Sequence, residues 1–310
     1  MQPKIRVMKY TIVIADSETE ESLDRGLPYE KFLLGDRNAS APLELRSLGH
    51  VFTDSSCIAR IEPVHIHAAR DHLVLTNTSI LDITQDESDA LFDSVKDIFA
   101  EMASITHRPY PGRWFIETSA MNTLSTVSTQ QAEGRNIDHW MPCDTTTPGV
   151  ARQWRKWQNE IQMIWFNHPI NEARQDRDML PVNSVWISGI GSISDIEIHD
   201  AFHQCHRVHS PDHCLSLMAK HLNKEHIENI ESSQLAQTLS LLSAKDQVTL
   251  QTWEMACQAL IGKEIEAIQI IDFPDSQERN RIIRLEDLPR KGFGFWKKPM
   301  TPKLQDMLSV

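Results

Sequence analysis

WQNEIQMIWFNHPINEARQDRDMLPVNSVWISGIGS, residues 157–192, decides how the chain is read. Trp154, Trp157, Ile161, Ile164 and Trp165 recur at spacings of three and four, so they share one side of a helix over about residues 150–167. Pro169 stops that helix. Residues 182–188 (VNSVWIS) alternate as a strand does, and Gly189-Ile190-Gly191 closes it, either as a tight turn or as a close approach to a phosphate. Asn159 and Glu160 fall off the apolar stripe and would face a cleft. His168, Asn171, Arg174 and Asn183 follow, so six residues of types suited to anions or amides crowd one short stretch. An arginine fork matches a phosphate or carboxylate, and asparagine amides complete such a cradle. The expectation is a pocket for a small anionic ligand. The alternative is a capping and salt-bridge network that ties a loop to a helix, with Glu160 pairing with Arg174.

Working outward, residues 10–15 (YTIVIA) form a compact β-branched run that ends at Asp16-Ser17 and reads as a buried strand. Residues 27–38 have helical spacing at Leu27, Phe32 and Leu34, with Gly35 as the stop. Residues 63–75 (PVHIHAARDHLVL) read as paired strands around a turn. Thr84-Gln85-Asp86-Glu87 is a capping box that opens a helix to about Met102, with Leu91, Phe92, Val95, Ile98 and Phe99 as its buried stripe. Residues 113–116 are a further strand, and 117–135 a loop or frayed helix. Residues 194–260 read as several helical pieces, 264–273 (EIEAIQIIDF) as a strand, and 281–285 as its partner. Alternating strands and helices imply an α/β architecture. PCDTTTP at 142–148 reads as a linker, which divides the chain into an N-terminal region 1–148 and a C-terminal region 149–310.

The 310 residues carry a formal charge of −12, which argues against a nucleic-acid coat, since phosphate backbones call for a basic face. Five scattered cysteines without a CxxC pair fit a reduced, cytoplasmic protein. No run approaches the roughly 18 apolar residues of a membrane helix. No serine elbow, P-loop, dinucleotide glycine fingerprint or HExxH occurs.

Histidines supply the metal candidates. His199, His203 and His206 would share a helix face, as a zinc or nickel site needs, with His209 and His213 following; a solvated His-rich helix is the plainer alternative. His65 and His67 alternate on a strand and point to one face, with His72 nearby; a partly buried structural pair is the plainer alternative. The tail RKGFGFWKKP is basic and aromatic, suited to a partner or to packing on its own domain.

Several separated pieces then occur in a recognisable order: LPYEKFLL (27–34), IEPVHI (61–66), GRWFIE (112–117), GRNIDHWMP (134–142), and WQNEIQM through GIGS. NHPINEARQDRDMLPVNSVWISGIG resembles a segment of archaeal-type cofactor-independent phosphoglycerate mutases, and the whole order resembles the bacterial RpfE-type regulatory proteins. The resemblance spans about residues 10–195. It implies a reduced form of the alkaline-phosphatase-like, phosphoglycerate-mutase-like α/β fold. It also implies a nucleophile beside two divalent metals, manganese or zinc, held by Asp and His ligands. Asp16 stands where the first strand would present one such ligand, but SETEE replaces the glycine-rich segment expected after it. The last histidine is His226, so the ligands expected in the C-terminal part are missing. The expectation is therefore a catalytically degenerate, regulatory or accessory protein that holds a small anion or a protein partner. An active metal-dependent mutase or phosphatase, and a His-rich metal-binding protein, are the alternatives.

Overall fold

The structure is a computed structural model that describes residues 8–15, 24–292 and 297–309. Asp16 and the aromatic residues of the tail, Phe293, Phe295 and Trp296, lie outside the described residues. Two compact units form, one from Met1–Asp24, Pro28–Leu33 and Ile198–Val310, the other from Arg25–Leu27 and Leu34–Glu197. The division does not follow the expected cut at 142–148. That segment belongs inside the second unit because the Asp144 carboxylate accepts from Gly149 N and Ala151 N, each at 2.7 Å, and so caps the tryptophan helix. Those N–H groups hold its carboxyl below the usual range.

The first unit is built on a six-stranded sheet whose order is Glu225–Ile227, Arg207–His209, Thr238–Leu242, Lys9–Ile14, Ala267–Asp272, Arg279–Ile283. The first five run parallel and the last antiparallel. The first strand lies centrally, which is why YTIVIA is a continuous apolar run and not an alternating one. Tyr10, Ile12, Ile14, Ile268 and Ile270 pack with Trp253, Ala256 and Leu260 of the helix Gln247–Ile261. Residues 194–260, expected to be helical pieces, contain three strands among their helices. Two of these are only three residues long and mostly polar, so their strand character comes from pairing with neighbours.

The second unit centres on the long strand Ile58–Ala69. Ser184–Gly191 pairs with it, Arg113–Glu117 pairs with its first residues, and His72–Thr76 folds back on its second half. The helices Gln85–Met102 and Val150–Phe166 share one core cluster with Ala59, Ile61, Trp114, Ile116, Val185 and Ile187 of this sheet. Trp114 stands edge-on to Phe92 and Trp165 at 5.1 and 6.1 Å, and its indole N–H donates to Ser88 Oγ. The Trp165 N–H donates to Leu91 O and Ser94 Oγ. The capping box at Thr84 and Glu87 is present in both directions.

Gly189 and Gly191 form no turn after the strand; they belong to it. Gly189 has φ +62, and a Cβ there would come within 2.9 Å of Ala41 N, while one on Gly191 would meet the Ala39 side chain at 2.7 Å. The glycines let the helix Ser40–Ser47 lie directly on the sheet. Among the described residues no helix is long and apolar enough to cross a membrane, and all five cysteines are free.

Candidate functional site

Of the polar residues singled out in 157–192, Asn171 and Arg174 are buried, His168, Asn183 and Glu160 half-buried, and Asn159 exposed. Beyond the tryptophan helix, His168 caps the short helix Pro169–Gln175 by accepting from Ile170 N at 3.2 Å. Burial holds the imidazole below its usual range. Asn171 donates to Trp165 O and Val182 O and accepts from Val182 N, all at 2.8 Å, so it ties the end of one helix to the start of the next strand. Asn183 accepts from Ile66 N and donates to Ile66 O, both at 2.8 Å. Its side chain thereby extends the strand ladder by one more rung.

Arg174 is 1% exposed. Its Nε donates to Leu180 O at 2.8 Å, one terminal nitrogen donates to Glu87 Oε2 at 2.8 Å, and the other donates to Leu81 O. Arg177 meets the other Glu87 oxygen at 2.7 Å. Burial pushes the Glu87 carboxyl up, but Thr84 N–H, Arg177 and Arg174 outweigh it and hold it below its ordinary value. Glu160 stands on the helix surface 3.7 Å from Lys156, while Arg174 has Glu87 as its carboxylate. The anion cradle expected at Asn171, Arg174 and Asn183 is thus corrected to the capping and salt-bridge network. The reason is that a guanidinium already matched by a carboxylate and two carbonyls has no free fork for a ligand.

The histidine run is dispersed. His199 is the cap of the helix Asp200–Gln204, accepting from Ala201 N at 3.1 Å, with its other nitrogen 3.3 Å from Glu278. His203 is exposed on that helix, which ends at Gln204. Cys205 is extended, so His206 leaves the face that His199 and His203 were expected to share with it. His209 lies in a strand and His213 opens another helix. His65 and His67 do stack, 5.4 Å apart and 18° from parallel. One nitrogen of His65 is engaged by Pro181 O at 2.8 Å, and burial holds that imidazole below its usual range. His72 pairs with Asp71. Among the described residues no three His, Cys, Asp or Glu side chains are grouped to hold a metal ion.

Ligands of parallel sheets commonly sit beyond the carboxyl ends of the strands. In the first unit that end of the Ala267–Asp272 strand presents Asp272, 1% exposed, with Arg279 at 2.5 and 3.1 Å and Arg281 at 3.2 Å. The Asp272 carboxylate in turn raises the Arg279 pKa. At the end of its own strand, His209 meets Ser240 Oγ at 2.9 Å, and Tyr10 donates to that oxygen at 2.7 Å. Burial lowers the His209 pKa and raises that of Tyr10.

Two features escaped the sequence reading. In the second unit, Glu44, Arg60, Glu62 and Arg113 form a charge quartet. Arg60 meets Glu44 at 3.0 Å and Glu62 at 3.3 Å, and Arg113 meets Glu44 at 2.6 Å. The signal for half of it was the strand alternation that places Arg60 and Glu62 on one face. The other feature is a cavity of about 430 Å³ beside the tryptophan helix, lined by Arg155, Asn159 and Gln162 on one side and by Leu73, Asp138 and Met141 on the other. Of the residues singled out in 157–192, Asn159 reaches this cavity.

No family model matches the chain, and no curated protein matches it. Among solved structures it is similar to the cofactor-independent phosphoglycerate mutase from Thermoplasma acidophilum DSM 1728. The identity is 14%, 89% of this chain and 90% of that one are covered, and the TM-score is 0.37. It is also similar to the PH0037 protein from Pyrococcus horikoshii, at 10% identity, with 88% and 85% covered and a TM-score of 0.42. The chain is similar to these two in outline, and its chemistry is read from its own side chains.

Proposed function

We propose that the chain is a phosphoglycerate-mutase-like accessory or regulatory protein of the RpfE type. On this reading it works in the cytoplasm, has lost metal-dependent phosphoryl transfer, and holds a small ligand bearing a carboxylate or phosphate, or a protein partner. One observation carries the reading. Asp272, the carboxylate at the end of a parallel strand, is buried between Arg279 and Arg281. A carboxylate that binds a divalent cation must turn its lone pairs to that ion, and two guanidiniums already occupy them. A cation brought there would also meet two fixed positive charges at short range. His209 supports the same reading, since its Nδ1 is committed to Ser240 in the interior. The ligand-holding part is supported by the cavity, where Arg155 offers an exposed guanidinium.

The test is turnover of 3-phosphoglycerate by the pure protein with added manganese, with a chelator control. The expected result is no turnover in either condition. Turnover that the chelator abolishes would overturn the reading and restore the metalloenzyme.

A further inference from the structure

The cavity beside the helix Val150–Phe166 has a volume of about 430 Å³. That lies at the small end of ligand pockets, which run from about 300 to 1,000 Å³. Arg155, Asn159 and Gln162 stand at i, i+4 and i+7, one above another along one wall. Asp138 comes from the short turn Ile137–His139, and Leu73 and Met141 add apolar surface. Gln158, which also lines the cavity, is spent on the fold, because its amide donates to Val185 O at 2.7 Å.

The wall groups are not spent. Among the described residues, the side chains of Asn159 and Gln162 have no hydrogen-bond partner, and Arg155 and Asp138 have no ion pair; the charge of Arg155 reaches Asp144 as a minor influence. The cavity thus offers one cation, one anion, two amides and an apolar surface. One arginine and one aspartate cancel, so a ligand of zero net charge is matched. A phosphate dianion would gain from Arg155 and be opposed by Asp138.

We propose that this cavity binds a free α-amino acid with an apolar side chain. Its carboxylate pairs with Arg155, its ammonium with Asp138, and its side chain lies against Leu73 and Met141. Asn159 and Gln162 hold the ionised ends in register, which fixes the handedness of the ligand. The proposal deepens the ligand-holding part of the function above and rests on it. Its test is separate from the catalytic part. Chelator-sensitive turnover would leave this cavity standing, and failure to bind here would leave the turnover result standing.

The experiment is calorimetric titration of the full chain with L-leucine and L-methionine. The comparison ligands are 4-methylpentanoate, which lacks the ammonium, 3-methylbutylamine, which lacks the carboxylate, and inorganic phosphate. Binding of at least one amino acid is expected, with each truncated analogue at least about tenfold weaker, as loss of a charge-assisted contact implies. Arg155→Gln and Asp138→Asn should each weaken binding by a similar factor. Both side chains are exposed, so ligand-free melting should be unchanged and serves as the folding control. Three results would overturn the proposal: no amino acid binding up to about 10 mM, affinity indifferent to both variants, or phosphate binding more tightly than any amino acid.

Discussion

Replacing Arg174 by alanine separates a structural clamp from a ligand site more cleanly than any other change in this protein. The side chain is 1% exposed and donates to Leu180 O, Leu81 O and Glu87, itself 6% exposed. Truncation strands a buried carboxylate and two carbonyls, and breaking a buried pair by removing one partner costs about 3–5 kcal/mol. Arg177 stays on the far oxygen of Glu87 at 2.7 Å, and Thr84 N donates to the near one at 3.1 Å. Glu87 therefore keeps part of its neutralisation, which places the expected loss near the lower end, about 3 kcal/mol. Urea denaturation read by tryptophan fluorescence measures this, because Trp114 and Trp165 lie in the same core cluster. Glu87→Gln keeps the capping box, so a cycle with Arg174→Met should show coupling of roughly 1–3 kcal/mol. A loss below about 1 kcal/mol, joined to disappearance of anion-induced thermal stabilisation, would refute the clamp and return Arg174 to a binding role.

Acid should destabilise the fold through groups held below their ordinary values. Burial lowers the folded pKa of His65, His107, His168 and His209, so each favours its neutral form in the folded state. Their contribution is full above the ordinary value of 6.5 and is lost as pH falls through the folded values, a range that two-dimensional NMR of the imidazoles would locate; a His209 titrating above 6.5 would contradict its placement. Glu87 adds a loss of the same sign lower down, full above 4.5 and disappearing as pH falls through its depressed folded value. Thiol reactivity should divide sharply. Burial pushes Cys57 to about 11 and Cys257 to about 12, whereas Cys143 is exposed. At pH about 8, Ellman's reagent should modify Cys143 in a fast phase that Cys143→Ser removes, with Cys257 reacting only on unfolding.

The sequence by itself determined the elements with strong local signals. The capping box fixes the start of the helix Gln85–Met102, the tryptophan spacing fixes the buried side of Val150–Phe166, and the unbroken apolar run of residues 10–14 marks a strand covered on both faces. Periodicity reports that a face is buried, not what covers it. Arg174 and Asn183 were visible as recognition groups, yet their partners, Glu87 and Ile66, lie 87 and 117 residues away. Asp272 finds its two arginines nearer, 7 and 9 residues on, and they reach it only when Arg279–Ile283 pairs beside its strand. Three-residue strands such as Arg207–His209 carry no period to read, and pairing with neighbours makes them strands. The cavity beside the tryptophan helix gathers Leu73, Asp138 and Asn159 from three separate segments. Local sequence sets which residues are buried and which carry charge. Whether a charge is spent on the fold or left for a ligand depends on long-range neighbours, and only the tertiary structure decided that.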